Sequence, residues 1–204
     1  MTTPPEDRRR VAGVVLAAGE SRRLGAPKQL AALDGESLVR RAVRALTESE
    51  CAVVGIVVGA HASVTVEAVA GLGAHVLTNE GWREGMAASI RTATTWAEAQ
   101  GVNGLLIAVC DQPWLASEHV NALLAAFRIG GRAVGSSYSG IVGVPAVFGR
   151  SEFPELLKLR GDRGASALLR GAPAVAWSAG AIDVDTERDL ETARAGRSQP
   201  DLDR

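Results

Sequence analysis

Residues 11–30 read VAGVVLAAGESRRLGAPKQL, and this stretch sets the fold. Its beginning, 11–18, is apolar on both faces, which predicts a fully buried strand. The glycines that follow allow a sharp turn with exposed backbone N–H groups. With Arg22, Arg23 and Lys28 around it, such a turn predicts a cradle for a polyphosphate. The spacing matches neither the GxxxxGK[ST] loop nor the GxGxxG loop, and a solvated basic loop is the alternative interpretation.

The order of elements after this strand predicts the architecture. Short β-branched runs predict strands over 52–59, 74–79, 104–111, 132–138, 143–149 and 173–178. The stretches between them predict helices over 38–46, 63–72, 86–99, 117–127, 151–159, 164–171 and 186–195. This alternation predicts an α/β fold, a three-layer α/β/α, Rossmann-like architecture with a mostly parallel sheet. Ligands of such sheets bind at the carboxyl ends of the strands, which singles out the first turn and Asp111.

Length, composition and charge bound the class of protein. The chain has 204 residues, 47% of them hydrophobic, and a net charge of −1, so neither nucleic acid nor a membrane is an expected partner. We expect one domain over 11–195, with disordered polar tails at 1–10 and 196–204. No apolar run approaches the roughly 20 residues that span a bilayer, and the first residues lack the apolar core of a signal peptide. A cytoplasmic location is therefore expected.

The cysteines and histidines favour neither a disulfide nor a zinc site. Cys51 and Cys110 lie far apart beside apolar runs, which predicts two reduced, buried thiols. His61, His75 and His119 show no metal-ligand spacing, so zinc is not expected.

Three aspartates are candidates for a magnesium site. Asp111 follows six apolar residues, and a carboxylate at the end of a buried strand has to be solvated, paired or bound to a cation. Mg²⁺ commonly uses one or two carboxylates together with substrate phosphates. Asp183 and Asp185 are two apart in an extended stretch and point the same way, so we favour Asp185 as the second ligand, with Asp183 in reserve. Alternatively, Asp111 caps the following turn and Asp185 merely precedes the cap of the last helix.

Five motifs carry a resemblance to a known family and occur in its order. They are LAAGESRRLGAPKQL (16–30), NEGWREGMAASI (79–90), VCDQP (109–113), GVPAVFGRSEFPELLKLRGDRGASALL (143–169) and DVDTERDL (183–190). Together they resemble the MobA-like NTP transferases, which are nucleotidyltransferases with a glycosyltransferase-A-like fold. Within that family they are most similar to the molybdenum cofactor cytidylyltransferase branch.

The resemblance implies a role for each part of the predicted site. Lys28, Arg23 and Asp111 would be catalytic, with Lys28 stabilising charge on the α-phosphate as pyrophosphate leaves. Nucleotide binding would fall to Ala17, Ala18, Gly19, Arg22, Gly85 and Ser89. Of these, Gly85 and Ser89 would lie near the base and ribose, and the turn at 161–164 would face the acceptor.

The implied activity is the Mg²⁺-dependent transfer of CMP from CTP to a phosphorylated acceptor, molybdopterin, with release of pyrophosphate. Guanine-using branches carry LAGG where this chain has LAAG, and the methyl group of Ala18 favours a pyrimidine. A molybdoenzyme or a maturation factor is a further expected partner.

Two other functions stay open at this stage. The family includes a nicotine blue oxidoreductase, so the same scaffold could hold NADPH or NADH beside a flat pigment, although no flavin motif or dinucleotide fingerprint is present. A non-catalytic protein that binds the molybdenum cofactor would keep the cavity but lose the metal carboxylates, whereas Asp111 and Asp185 are both present.

Overall fold

The computed structural model describes residues 10–20 and 27–196, and a seven-stranded sheet lies at their centre. In chain order the strands are β1 (Val11–Ala17), β2 (Ala32–Leu33), β3 (Glu36–Ser37), β4 (Val53–Val58), β5 (His75–Thr78), β6 (Gly104–Val109), β7 (Ala133–Tyr138), β8 (Ile141–Gly149) and β9 (Ala174–Ala176). The large sheet has the order β5-β4-β1-β6-β8-β7-β9, while β2 and β3 form a separate hairpin. Only β8 runs antiparallel to its neighbours, so the prediction of a mostly parallel sheet is confirmed.

Helices cover both faces of this sheet. They are α1 (Leu38–Thr47), α2 (Ala62–Ala68), α3 (Met86–Ala99), α4 (Ser117–Gly130), α5 (Phe153–Lys158) and α6 (Glu187–Gly196). Side chains of α1, α2 and α4 form one apolar cluster with the sheet, and those of α3 and α5 form another on the opposite face. The alternation of side chains along β1 explains this, because Val15 belongs to the first cluster and Val14 to the second. The three-layer architecture is confirmed.

A third, smaller apolar cluster lies next to the end of the chain. Leu33 of the hairpin and Leu38 of α1 pack there with Val184, Leu190 and Ala193. This cluster anchors α6 beside the hairpin, and with it the segment that carries the two late aspartates.

Several local details differ from the sequence-based expectations. The β2–β3 hairpin was not predicted, because strands of two residues show no periodicity, although its turn is an Asp-Gly pair with φ of 54° at Asp34 and 80° at Gly35. The helix predicted over 164–171 is a 3-10 helix, Ala165–Leu169. Helix α2 is shorter than predicted and ends at Ala68.

Both cysteines are free, with Cys110 buried and Cys51 partly buried, in agreement with the prediction of thiols. Burial raises the pKa of Cys51 to about 11. Within the described residues, no helix has the length and apolar character needed to cross a bilayer.

Candidate active site

The carboxyl ends of β1 and β6 are neighbours and open into one cavity. Leu16 pairs with Val109 across these strands, so the turn after β1 and the carboxylate of Asp111 reach the same space. The cavity has a volume of about 730 Å³. Its described lining includes the predicted site residues Ala17, Ala18, Gly19, Lys28, Gly85, Ser89 and Asp111. Segments distant in sequence are thus brought together as the sheet rule predicts.

Lys28 begins a short 3-10 helix, Lys28–Leu30, and its ammonium group contacts two aspartates. Nζ donates to Oδ2 of Asp111 at 2.6 Å and to Oδ1 of Asp185 at 2.9 Å. Burial lowers the pKa of Lys28, but the charge of Asp111 and the hydrogen bonds to both carboxylates outweigh it and hold the pKa above its ordinary value of 10.5. Lys28 is therefore a permanent cation at the edge of the cavity.

The carboxylate of Asp111 fits a divalent cation. Its Oδ2 accepts from Lys28, whereas Oδ1 is buried and has no hydrogen-bond partner among the described residues. A buried carboxylate oxygen without a partner is costly, and a bound cation would remove that cost. The backbone oxygen of Asp111 also accepts from the N–H of Val184 at 2.8 Å, which ties β6 to the segment that carries Asp185. Asp111 and Asp185 thus lie close together on Lys28, and their role as Mg²⁺ ligands stays a prediction.

Capping contacts at the start of α6 hold Asp185 in place. The hydroxyl of Thr186 accepts from the N–H of Asp189 at 3.2 Å, and Oδ2 of Asp189 accepts from the N–H of Asp185 at 3.1 Å. Such reciprocal contacts fix the first turn of a helix. Thr186 is therefore the cap of α6, and Asp185 precedes it, as the alternative interpretation expected; the cap also orients Asp185 beside Lys28.

Asp183 differs from its neighbours in its surroundings. Burial raises the pKa of Asp183 to about 6, and the charges of Asp111 and Asp185 act in the same direction. In the part of the chain that the structure describes, no three His, Cys, Asp or Glu side chains form a metal-binding group. A coordination shell of two carboxylates, phosphate oxygens and water would suit Mg²⁺ here. Asp183 remains the predicted reserve ligand.

Trp82 and Ala18 form a tightly packed part of the wall. Gly59 follows β4 and lies between them: a Cβ there would be 2.7 Å from the oxygen of Ala18 and 2.8 Å from Cβ of Trp82, so only glycine fits. Trp82 lines the cavity, and the guanidinium of Arg83 lies 4.3 Å from the centroid of its ring. Trp82 gives the cavity an aromatic surface, and it was not predicted from the sequence as a site residue.

Ser89 is oriented by a buried partner. Asn79 follows β5, is 4% exposed, and donates from Nδ2 to Oγ of Ser89 at 3.0 Å. Because this oxygen accepts from Asn79, the hydroxyl proton points elsewhere, and Ser89 lines the cavity. The Oγ atom of Ser89 is therefore held in place by Asn79, and its hydroxyl can rotate to donate to a ligand in the cavity.

Gly85 accommodates a neighbouring loop at the start of α3. Its φ is 117°, and an added Cβ would lie 2.7 Å from the oxygen of Gly161 and overlap Asp162. The oxygen of Gly161 accepts from the N–H of Ala87 at 3.0 Å, which fastens this loop to α3. Asp162 lines the cavity, so the loop that was predicted to face the acceptor borders the same space. Contact of Gly85 with a base stays a prediction.

Comparison with known proteins identifies the family. Residues 13–177 match the model of the MobA-like NTP transferase domain. The chain belongs to the MobA-like NTP transferase family. This is a nucleotidyltransferase family, so the expected enzyme class is confirmed.

Curated members of the MobA-like family differ in their names. The purine catabolism protein PucB of Bacillus subtilis is 31% identical, over 91% of this chain and 97% of that protein. The nicotine blue oxidoreductase of Paenarthrobacter nicotinovorans is 34% identical, over 89% of this chain and 92% of that enzyme. A probable molybdenum cofactor guanylyltransferase of Opitutus terrae is 33% identical, over 68% and 66% of the two chains.

Solved structures similar to this chain include one in complex with a divalent cation. A homologue of Rv0371c from Mycobacterium sp. strain JC1 matches with a TM-score of 0.79 and 30% identity, covering 93% of this chain and 97% of that one. Rv0371c of Mycobacterium tuberculosis in complex with manganese matches with a TM-score of 0.72 and 26% identity, covering 91% and 98%. A divalent cation is therefore compatible with this scaffold.

One buried residue of the site, Gln29, was not predicted from the sequence. Gln29 is 1% exposed, and its side-chain amide donates to the oxygens of Ala17 at 3.1 Å and Gly19 at 2.6 Å. Its position directly after Lys28 was the only signal available. Arg22 and Arg23 lie outside the described residues, and their contacts with phosphate stay predictions.

Proposed function

We propose that this protein transfers CMP from CTP to the terminal phosphate of molybdopterin and releases pyrophosphate, with Mg²⁺ bound by Asp111 and Asp185. The observation that carries the proposal is the ion-paired group of Lys28, Asp111 and Asp185 at the end of a cavity of about 730 Å³. Such a cavity suits a nucleotide in size. Fixed cations and carboxylates beside a glycine turn are the groups that handle a polyphosphate.

The reaction needs positioning and charge neutralisation rather than a covalent intermediate. An oxygen of the acceptor phosphate attacks the α-phosphorus of CTP, a new P–O bond forms, and the bond to the β-phosphate breaks. Lys28 is the cation that meets the charge growing on the α- and β-phosphates. Mg²⁺ would supply Lewis-acid stabilisation of the same charge.

The proposed preference for CTP rests on the wall near the base. Ala18 lines the cavity where the guanine-using branches carry glycine, so we expect its methyl group to leave less space for a purine. Ser89 lines the cavity, and its hydroxyl group is of a kind that can donate to the carbonyl of a cytosine ring. Guanylyltransferases among the relatives make GTP the competing donor to test.

Molybdopterin is proposed as the acceptor because relatives are molybdenum cofactor guanylyltransferases. Asp162 lines the cavity, and we propose that the acceptor enters on this side. A cytoplasmic location and delivery of the product to a molybdoenzyme or maturation factor belong to the same proposal.

A second candidate is an NAD(P)H-dependent oxidoreductase that reduces a quinone-like pigment. The relative that favours it is the nicotine blue oxidoreductase, at 34% identity over 89% of this chain. In that case the cavity would hold NADPH or NADH, and Trp82 would provide a flat surface for a planar ring.

Two assays on one preparation decide between these functions. Pyrophosphate release is measured with CTP, GTP or ATP and molybdopterin in the presence of Mg²⁺, and NADPH oxidation is measured with a quinone. We expect pyrophosphate release that is fastest with CTP and no NADPH oxidation. Rapid NADPH oxidation without pyrophosphate release from any nucleotide would replace the transferase with the oxidoreductase.

A further inference from the structure

The side-chain amide of Gln29 is buried at the end of β1, although no step of the proposed reaction uses it. Its Nε2 donates to the oxygen of Ala17 at 3.1 Å and to that of Gly19 at 2.6 Å. An amide NH₂ group has two protons, so both carbonyls are served at once. Burying this group without partners would be costly, and these hydrogen bonds offset that cost.

These hydrogen bonds fix the orientation of the peptide groups in the turn. In a trans peptide the N–H points opposite to the C=O, so holding the oxygens of Ala17 and Gly19 also fixes the N–H groups of the residues that follow. The carbonyl between them, that of Ala18, accepts from the N–H of Ala60 at 3.1 Å. Three consecutive carbonyls are thus held by protein donors. The residues that carry them line the cavity, so its wall has backbone amides of fixed direction.

Gln29 also fixes the position of Lys28 relative to this turn. The two residues are consecutive in the 3-10 helix, and their side chains diverge, with Lys28 reaching Asp111 and Gln29 reaching the turn. The hydrogen bonds of Gln29 therefore set the distance between the turn and the backbone from which the Lys28 side chain extends. Groups held in place before a ligand binds lose little freedom when it arrives.

We propose that Gln29 is a positioning residue for the polyphosphate: it holds the backbone amides of the turn, and their distance from the backbone of Lys28, in the arrangement that successive phosphate groups require. The inference rests on the proposed function and deepens it. Both amide protons of Gln29 are directed at carbonyl oxygens, so this NH₂ group holds the turn and is not offered to the substrate. Its effect on affinity depends on the number of phosphates and not on the base.

The variant Gln29→Met tests this, because it keeps the length of the side chain and removes both donors. Dissociation constants for CTP and CMP are measured by calorimetry with Mg²⁺ on the full chain. We expect CTP binding to weaken about tenfold and CMP binding to change less than about twofold. Gln100→Met, at the end of α3, is the matched control and leaves both constants unchanged.

Equal losses for CTP and CMP would overturn the positioning role, and so would unchanged CTP binding in the folded variant. Tripolyphosphate separates the inference from the proposed function. If the wild type binds tripolyphosphate in a Gln29-dependent way but no nucleoside triphosphate, the transferase proposal fails and the positioning role stands.

If Gln29→Met does not fold, the proposal can still be tested with a second variant and with a measurement on the wild type. Gln29→Glu keeps the shape and puts acceptors against the carbonyls of Ala17 and Gly19, so it too should lose CTP before CMP. In the wild type without ligand, we expect the side-chain amide protons of Gln29 to be protected from exchange with solvent. Exchange at the rate of an exposed amide would overturn the proposal.

Discussion

At the scale of single residues, Lys28 supplies the positive charge that pairs with two carboxylates of the site. Its ammonium lies between the carboxylates of Asp111 and Asp185, in contact with both. A divalent cation held by the same two carboxylates would repel this ammonium at short range. Cation binding therefore favours movement of Lys28 away from the aspartates, and the phosphates of a nucleotide offer it a new partner.

Replacing Lys28 by methionine should have opposite effects on metal binding and on catalysis. Without nucleotide, Mn²⁺ should bind about tenfold more tightly to Lys28→Met, because no ammonium competes for the carboxylates. Transfer of CMP should fall by about 100-fold or more, because the cation that meets the phosphates is gone. Mn²⁺ titration followed by electron paramagnetic resonance measures the first effect.

The chain's other lysine provides the control for this prediction. Lys158 is exposed and paired with Glu155 on α5. Lys158→Met should change neither Mn²⁺ affinity nor the transfer rate. Equal Mn²⁺ affinity in the wild type and in Lys28→Met would show that the ammonium does not compete with the cation.

The two late aspartates are separable by matched substitutions. Asp185 contacts Lys28 directly, whereas Asp183 is the reserve ligand. Asp185→Asn should weaken Mn²⁺ binding in the presence of CTP by about 100-fold, and Asp183→Asn by less than about threefold, because only the first removes a carboxylate ligand. The reverse order of losses would transfer the ligand role to Asp183.

At the scale of elements, His119 links helix α4 to strand β7. Its Nε2 lies 2.8 Å from Oγ of Ser136, which donates to the oxygen of Pro145 at 2.7 Å. The hydroxyl proton is therefore already used, so His119 donates, and its ring also stacks on Trp177 with centroids 4.6 Å apart. Burial lowers the pKa of His119 to about 4, so the folded protein carries it neutral.

This buried histidine should make stability depend on pH. Below about pH 6.5 the unfolded chain takes up a proton at His119 and the folded chain does not, so the unfolding free energy falls as the pH drops towards 4. After allowance for solvent screening we expect a loss of about 2 kcal/mol from this residue. Denaturant unfolding between pH 5 and pH 7 measures it.

The matched variants are His119→Gln and His75→Gln. His75 is exposed on the edge strand β5, so its replacement should leave the pH dependence as in the wild type. His119→Gln should make the unfolding free energy less dependent on pH. Parallel curves for all three proteins would rule out the burial of a neutral His119 as the cause.

The start of helix α3 should be intolerant of a side chain at Gly85. A Cβ at this position would overlap Gly161 and Asp162. A side chain would also be strained by the backbone φ of 117°. Gly101 is the control for backbone strain: its φ is 65°, but an added Cβ would meet no neighbouring atom. We expect Gly101→Ala to cost about 1 kcal/mol and Gly85→Ala about 3 kcal/mol of unfolding free energy. Equal costs would mean that the 161–162 loop moves away freely.

The elements show what a sequence can and cannot predict. The periodicity of β1, α1 and α3 gave their bounds to within one residue, because the apolar pattern directly reflects which faces are buried. The β2–β3 hairpin and the 3-10 helix at Ala165–Leu169 were missed or mistaken for α-helix, because segments this short carry no period. The antiparallel direction of β8 follows from its tight turn with β7 at Ser139 and Gly140. Its insertion beside β6 depends on pairing between distant strands, which local pattern does not report.

At the scale of the whole molecule, the sheet assembles the site from distant parts of the chain. That Asp111 and the first turn would meet was predictable, because parallel strands end at one edge. The ion pair between Lys28 and Asp185, 157 residues apart, was not, since it depends on how α6 docks on the hairpin through Leu33 and Val184. The role of Gln29 was hidden for the same reason, because its partners are backbone atoms ten and twelve residues earlier in the chain.

The most direct test of the central claim is a crystal structure of the protein with CTP and Mn²⁺, with anomalous data at the manganese edge. The account predicts the triphosphate along residues 17–20 and an anomalous peak bonded to Asp111 and Asp185. It also predicts that Lys28 has moved from these carboxylates to a phosphate oxygen. A cavity that holds no CTP but takes up NADPH, or a manganese peak away from both aspartates, would contradict it.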